Sequence, residues 1–281
     1  MRVIDSHAHV ISPDRERYPF RPDFAGGPLQ ILSAEELLTE MDATAVDVAL
    51  LVQRGQAYGF DNTYVCEMAS RSGGRLVAIC AADARDVRCG EAARAWFDRG
   101  ARGFRVMGMP STSDLTWLVG PGSDALWQAA AELGTPIGVH LFPSNRASGL
   151  EALCHLVARY PTVDVVVDHL ANGVRPEADD HGIDAPLKAL IEAPQVSLKF
   201  TAIPLAAVGN RAAEVLERYV ALVGAERMMW GTDVTQSPGS YRDLVALTLA
   251  AVSGFREEQR AAMLGGTASR VYRLSAAAET V

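Results

Sequence analysis

Short apolar runs rich in Val, Ile and Leu alternate along this chain with longer stretches in which apolar residues recur at helical spacing. The apolar runs predict strands at 2–9, 46–52, 75–81, 103–107, 136–141, 163–168, 196–200 and 227–230. The stretches between them, rich in Ala, Leu, Glu and Arg, predict helices, the clearest at 91–99, 123–133, 150–160, 211–222 and 241–253. Gly100, Gly134 and Gly224 stand where helices should end, as left-handed caps require. Eight strands alternating with helices predict an α/β fold with a parallel sheet closed into a (β/α)8 (TIM) barrel. An open doubly wound sheet would favour a Gly-rich phosphate loop after strand one, where the sequence instead reads HAHVISPDRERYPF. No linker or composition break divides residues 1–281, so one barrel domain is expected. The polar, Pro-containing segment 11–32 is long enough to cover a barrel mouth.

Composition narrows the function more than the fold. A net charge of −8 with pI near 5.3 argues against a nucleic-acid partner. Only Lys188 and Lys199 are lysines, so a mechanism needing an active-site lysine has two candidates. Cys66, Cys80, Cys89 and Cys154 form no CxxC pair, which suits reduced thiols and a cytoplasmic location. The first residues lack the pattern of a secretory signal, and no apolar run reaches membrane-spanning length. The expected partner is a small molecule, without nucleic acid or membrane; a homo-oligomer is compatible with the sequence.

In a parallel barrel the strand C-termini form the active face. Four of the six histidines fall there: His7 and His9 on strand one, His140 on strand five, and His169 after strand six. Gln53 ends strand two, Arg105 lies in strand four, Asp168 ends strand six, Lys199 lies in strand seven and Asp233 follows strand eight. His7 and His9 are one strand period apart, so both point to one face, where two imidazoles can approach a single cation at about 2.0–2.1 Å. The same alternation groups Val3 and Asp5 with them and turns Ile4, Ser6 and Ala8 toward the helices. The plain alternative is a satisfied polar pair at a strand end. Joined by His140 and Asp233, the pair reads as a metal site of His7, His9, His140 and Asp233. Asp233 also suits a proton acceptor for an activated water. Its rival role, an N-cap, is weakened by the next helix starting near Pro238 and Gly239. His169 suits a further ligand, a general acid or a group polarising a carbonyl; a structural histidine is the other reading. Arg105 and Lys199 read as anchors for an anionic substrate group, or as internal ion pairs, for Arg105 with Asp5 or Asp83. Gln53, Asn145, Arg146 and Asn172 are candidate substrate contacts, whereas His155 and His181 read as non-functional. Tyr18, Phe20, Tyr58 and Trp117, on predicted loops, suggest a partly apolar ligand or simple packing.

Taken in order, IDSHAHV, PIGVHLFP, VVVDHLAN, SLKF and MMWGTDVTQSP resemble the amidohydrolase superfamily, and within it the amidohydrolase-2 group with its 2-pyrone-4,6-dicarboxylate and sugar-acid lactonases. The closing GGTASRVYRL is similar to that group's terminal pattern, with a different start. The resemblance spans the chain and implies a (β/α)8 barrel with its pocket at the strand C-termini. It implies the strand-one pair at His7 and His9, the strand-five histidine at His140, the strand-six histidine at His169 and the strand-eight aspartate at Asp233. Binuclear members carry a carboxylated lysine at the end of strand four, and GARGFRVMG has none. One divalent ion, zinc first, is therefore expected, although the group's lactonases include metal-free members. The implied reaction is hydrolysis of a lactone or related cyclic ester of a small carboxylated substrate, with Asp233 and His169 catalytic. The alternative is metal-dependent non-oxidative decarboxylation, known in the same branch. A catalytically silent binding barrel is disfavoured by the retained His7, His9 and Asp233.

Overall fold

A computed structural model describes residues 1–24, 30–108, 112–177 and 179–275. Eight parallel strands hydrogen-bond in chain order: β1 (Ile4–Ala8), β2 (Val48–Val52), β3 (Leu76–Ala81), β4 (Ala101–Met107), β5 (Ile137–His140), β6 (Val165–Val167), β7 (Val196–Thr201) and β8 (Met228–Gly231). β8 returns to β1, where Asp233 N–H donates to His7 O at 2.7 Å and Val234 bridges Ala8. The protein is thus a (β/α)8 barrel, and each strand falls within a few residues of its sequence expectation. Gly231 permits the closure, since a Cβ there would lie 2.4 Å from His7 Cβ.

The helices follow their local signals. Ser33 caps Ala34–Thr44 through a reciprocal box with Glu36, and Ser240 caps Tyr241–Val252 through one with Asp243. Gly134, at φ 63° and ψ 36°, is the left-handed cap expected after Ser123–Leu133. The strands bury both faces. Ala49, Leu51, Ala78, Cys80, Val165, Val167, Leu198 and Trp230 pack against the helices. Their neighbours Val48, Leu50, Val52, Val77, Ile79, Val166 and Met229 fill the barrel interior, closed from below by Ala268, Val271 and Tyr272.

β1 breaks the expected alternation. Ile4 belongs to the interior, and Asp5 accepts from Thr232 N and Thr232 Oγ1 at 3.0 and 2.6 Å and meets Tyr241 of the surrounding helix layer. The register of β1 on β2 shifts between Asp5 and Ala8. That irregularity changes the parity, so His7 shares the interior with Ile4 rather than with Asp5.

Among the described residues no helix is long and apolar enough to cross a membrane. Residues 25–29 of the first loop and 109–111 of the loop after β4 lie outside the described residues.

Candidate active site

The site lies at the C-terminal face, beside a cavity of about 650 Å³. Its wall includes His9, Arg54, Arg105, His140, His169 and Asp233, and Arg21 and Phe24 of the first loop contribute as well. That loop therefore covers part of the mouth.

Two turns deliver the key groups. β6 ends at Val167, and His169, Leu170, Ala171 and Asn172 all take left-handed backbone, with φ of 54°, 52°, 57° and 48°. Such a run of non-glycine residues is costly and is characteristic of functional turns. It swings His169 and Asn172 into the cavity wall. Asp233 has φ 53° and stands well before the next helix, which is capped by Ser240. Asp233 is therefore not an N-cap.

The hydrogen bonds assign the tautomers of His9 and His140. Val52 O lies 2.6 Å from His9 Nδ1, so that nitrogen carries the proton and Nε2 presents its lone pair. This Nε2 is 3.2 Å from Asp233 Oδ1, an acceptor facing an acceptor. Among the described residues neither oxygen of Asp233 has a hydrogen-bond partner, although the residue is 1% exposed. His7 Nε2 is likewise unpartnered, 3.5 Å from the same oxygen. His169 Nδ1 is held by Thr201 Oγ1 at 2.7 Å. Ligand atoms of His7, His169 and Asp233 all lie within 4.8 Å of one another. Burial holds His7, His9 and His169 below their ordinary pKa and therefore neutral. Burial pushes Asp233 the other way; the attraction of His169, His9 and His7, once these rings are protonated, acts against it and holds its carboxyl below the usual range. The His9 Nε2 lone pair and a carboxylate that accepts no hydrogen bond among the described residues are donors that a divalent cation takes, with His7 and His169 close by.

Asp168, one position before His169, has the opposite surroundings. Its Oδ2 accepts from Arg105 Nε at 2.7 Å, and its Oδ1 lies 3.2 Å from Lys199 Nζ. Lys199 Nζ is also 3.3 Å from His7 Nδ1. Arg105 is thus internally paired, but with Asp168 rather than Asp5 or Asp83. Lys199 sits below His7, fully buried between Asp168 and Tyr272, and does not line the cavity.

Arg105 Nη2 lies 2.8 Å from His140 Nδ1. A guanidinium only donates, so Nδ1 is the acceptor and a neutral His140 carries its proton on Nε2. Burial, then Arg105 and His169, keep the ring neutral. In this arrangement His140 Nδ1 has no free lone pair, and Nε2 lies 3.5 Å from Asn172 Nδ2 at the cavity wall. His140, Asp168 and His169 also cluster within 4.8 Å, but the cations on Asp168 already occupy it.

Three other expected contacts are elsewhere. Gln53 is buried behind the wall, donating to Asp61 O and accepting Arg54 N at 3.0 Å. The helix Arg146–Arg159 begins four residues earlier than periodicity suggests. Asn145 and Arg146 consequently sit at its start: Asn145 accepts Phe142 N at 2.9 Å, and Arg146 pairs with Asp184. Tyr18, Tyr58 and Trp117 are buried, Phe20 packs against the core, and none lines the cavity. Asn172 does line it. His155 is exposed mid-helix, and His181 is buried against Arg211. Arg54 is a wall residue that sequence reasoning passed over; its only signal is its place, directly after Gln53 at the end of β2.

The fold and site define a (β/α)8 barrel with a buried histidine–aspartate cluster at its strand C-termini that could hold a metal ion. The chain is a member of the amidohydrolase family: the amidohydrolase-2 model, described as "Amidohydrolase", matches residues 4–274. No curated protein matches it significantly. Among solved structures, a candidate 2-pyrone-4,6-dicarboxylic acid hydrolase from Pseudomonas putida is 23% identical with a TM-score of 0.75, covering 98% of each chain. Another such candidate, from Acinetobacter baumannii with citric acid bound, is 16% identical with a TM-score of 0.74, over 97% of this chain and 100% of that one. 5-Carboxyvanillate decarboxylase from Novosphingobium aromaticivorans, with manganese bound, is 13% identical with a TM-score of 0.67, over 97% of each chain. At these identities the likeness is one of fold.

Proposed function

We propose that the protein is a metal-dependent hydrolase that opens a lactone or related cyclic ester of a small carboxylated substrate. The observation that carries this reading is the pair of buried acceptors, His9 Nε2 and Asp233 Oδ1, 3.2 Å apart with no donor between them, on the wall of a cavity. His7, His9, His169 and Asp233 are the residues that would hold one ion; ligation by His140 Nδ1 would require Arg105 to release it. A divalent ion there, zinc by its N/O donor set, supplies polarisation of a carbonyl and acidification of water.

The chain's own groups do the rest. Asp233, ionised and unpartnered, accepts the proton of the attacking water and passes it to the leaving ring oxygen. His140 donates through Nε2–H to the carbonyl oxygen as negative charge develops there. The Arg105–Asp168–Lys199 network fixes that tautomer and sets His7 beneath the cavity.

Non-oxidative decarboxylation is the second reading, supported by decarboxylases among the structural neighbours. Incubating the metal-loaded protein with carboxylated lactones and with hydroxybenzoates separates the two. Ring opening with release of one acid equivalent supports hydrolysis; loss of CO2 from an acid with no lactone opened sinks it.

A further inference from the structure

The cavity wall carries three arginines, and two of them are already engaged. Arg21 grips both oxygens of Asp23 through Nε and Nη2, at 2.5 and 2.6 Å. Arg105 gives Nε to Asp168 at 2.7 Å and Nη2 to His140 at 2.8 Å, and its Nη1 faces Met107 Sδ at 3.6 Å. Arg54 differs. No carboxylate among the described residues lies within ion-pair distance of it. Among the described residues its Nε is buried without a partner, and its one side-chain hydrogen bond runs from Nη2 to Gln56 Oε1 at 3.2 Å.

We propose that Arg54 is the specificity residue that takes the anionic group of the substrate. The proposal rests on the hydrolase reading for its substrate, and assigns to Arg54 the role that charge alone would give to Arg105 or Lys199. A half-buried guanidinium with an unsatisfied N–H has the fork geometry that a carboxylate fits. Its backbone is fixed from behind, because Gln53 Oε1 accepts Arg54 N while Gln53 Nε2 donates to Asp61 O. The rival role is simple electrostatic support of Asp233 across the pocket. That role predicts a change in turnover for every substrate, whereas a carboxylate subsite predicts a change in KM for acidic substrates only.

The test compares wild type, Arg54→Met and Arg54→Lys on a carboxylated lactone and on its methyl ester. With Arg54→Met, KM for the acid should rise about 10- to 100-fold, the scale of a charged hydrogen-bonded pair. KM for the ester should stay within about 2-fold, and Arg54→Lys should fall between wild type and Arg54→Met for the acid. Equal effects on acid and ester, or none on the acid, overturn the proposal. Calorimetric titration of metal-free wild type and Arg54→Met with tricarballylate is the arm that needs no turnover. Binding at least about 10-fold weaker in the variant supports the subsite even if no lactone is opened, which would refute only the hydrolase; equal binding, or none by wild type, overturns the subsite.

Discussion

Asp168 and Asp233 make an instructive pair: two aspartates at the C-terminal face of one barrel, each 1% exposed. Asp168 is matched by two cations, Arg105 donating to one oxygen and Lys199 in ion-pair contact with the other. Asp233 faces imidazoles and has no donor on either oxygen. Burial is the same, and the partners decide what each carboxylate does. A carboxylate matched by internal cations is part of the scaffold. One left without a donor needs something from outside the chain, and lies where a ligand or a proton is handled.

Removing the matched charge should produce the largest effect. Asp168→Asn leaves Arg105 and Lys199 buried with too little negative charge and should cost about 3–5 kcal/mol of folding stability, read from urea unfolding. A cost below about 1 kcal/mol would mean that the network is not structural. Asp233→Asn should do the reverse. Turnover should fall by at least about 100-fold, on the scale of general acid–base effects, while the metal-free variant unfolds no more easily than wild type. Near-normal turnover would remove Asp233 from the mechanism.

Metal binding sharpens the contrast further. Elemental analysis of wild type should find one divalent ion per chain, and saturating zinc at about 100 times its Kd should add about 2.7 kcal/mol of stability. His9→Ala should weaken zinc binding by at least about 10-fold, measured by competition with a chromophoric chelator, whereas exposed His155→Ala should leave it unchanged. Equal affinity in wild type and His9→Ala would place the ion elsewhere. The smallest expected effect is at Thr201→Val, which frees His169 Nδ1 and should cost about 1 kcal/mol of stability with a several-fold loss of turnover. If turnover fell as far as in Asp233→Asn, Thr201 would be more than a support for the ring.

The strands were legible because residues such as Val48–Val52 and Val165–Val167 are buried on both faces and so read as unbroken apolar runs. The site was legible in part, because strand C-termini converge in any parallel barrel. Simple alternation could not reveal the register shift in β1, which turns Ile4 inward and Asp5 outward. Nor could it show which cations Asp168 would absorb, since Arg105 and Lys199 come from different strands and both read as candidate anchors. Arg54 escaped notice for the related reason that its distinction is a missing partner, and only three-dimensional neighbours define that.

Tyr272 carries a consequence for the order in which the site is made. It follows all eight strands in sequence, yet its ring reaches the barrel interior, within 3.0 Å of where a Cβ on Gly103 would lie, and its hydroxyl meets Lys199. During synthesis from the N-terminus, His7 and His9 emerge first, but the floor beneath them is absent until nearly the whole barrel has been translated. A nascent chain stalled after β8 would hold every proposed ligand and still expose an open hydrophobic shaft, with Lys199 lacking its tyrosine. Assembly of the pocket is therefore a late event that awaits the helix Thr267–Val271, which Tyr272 ends.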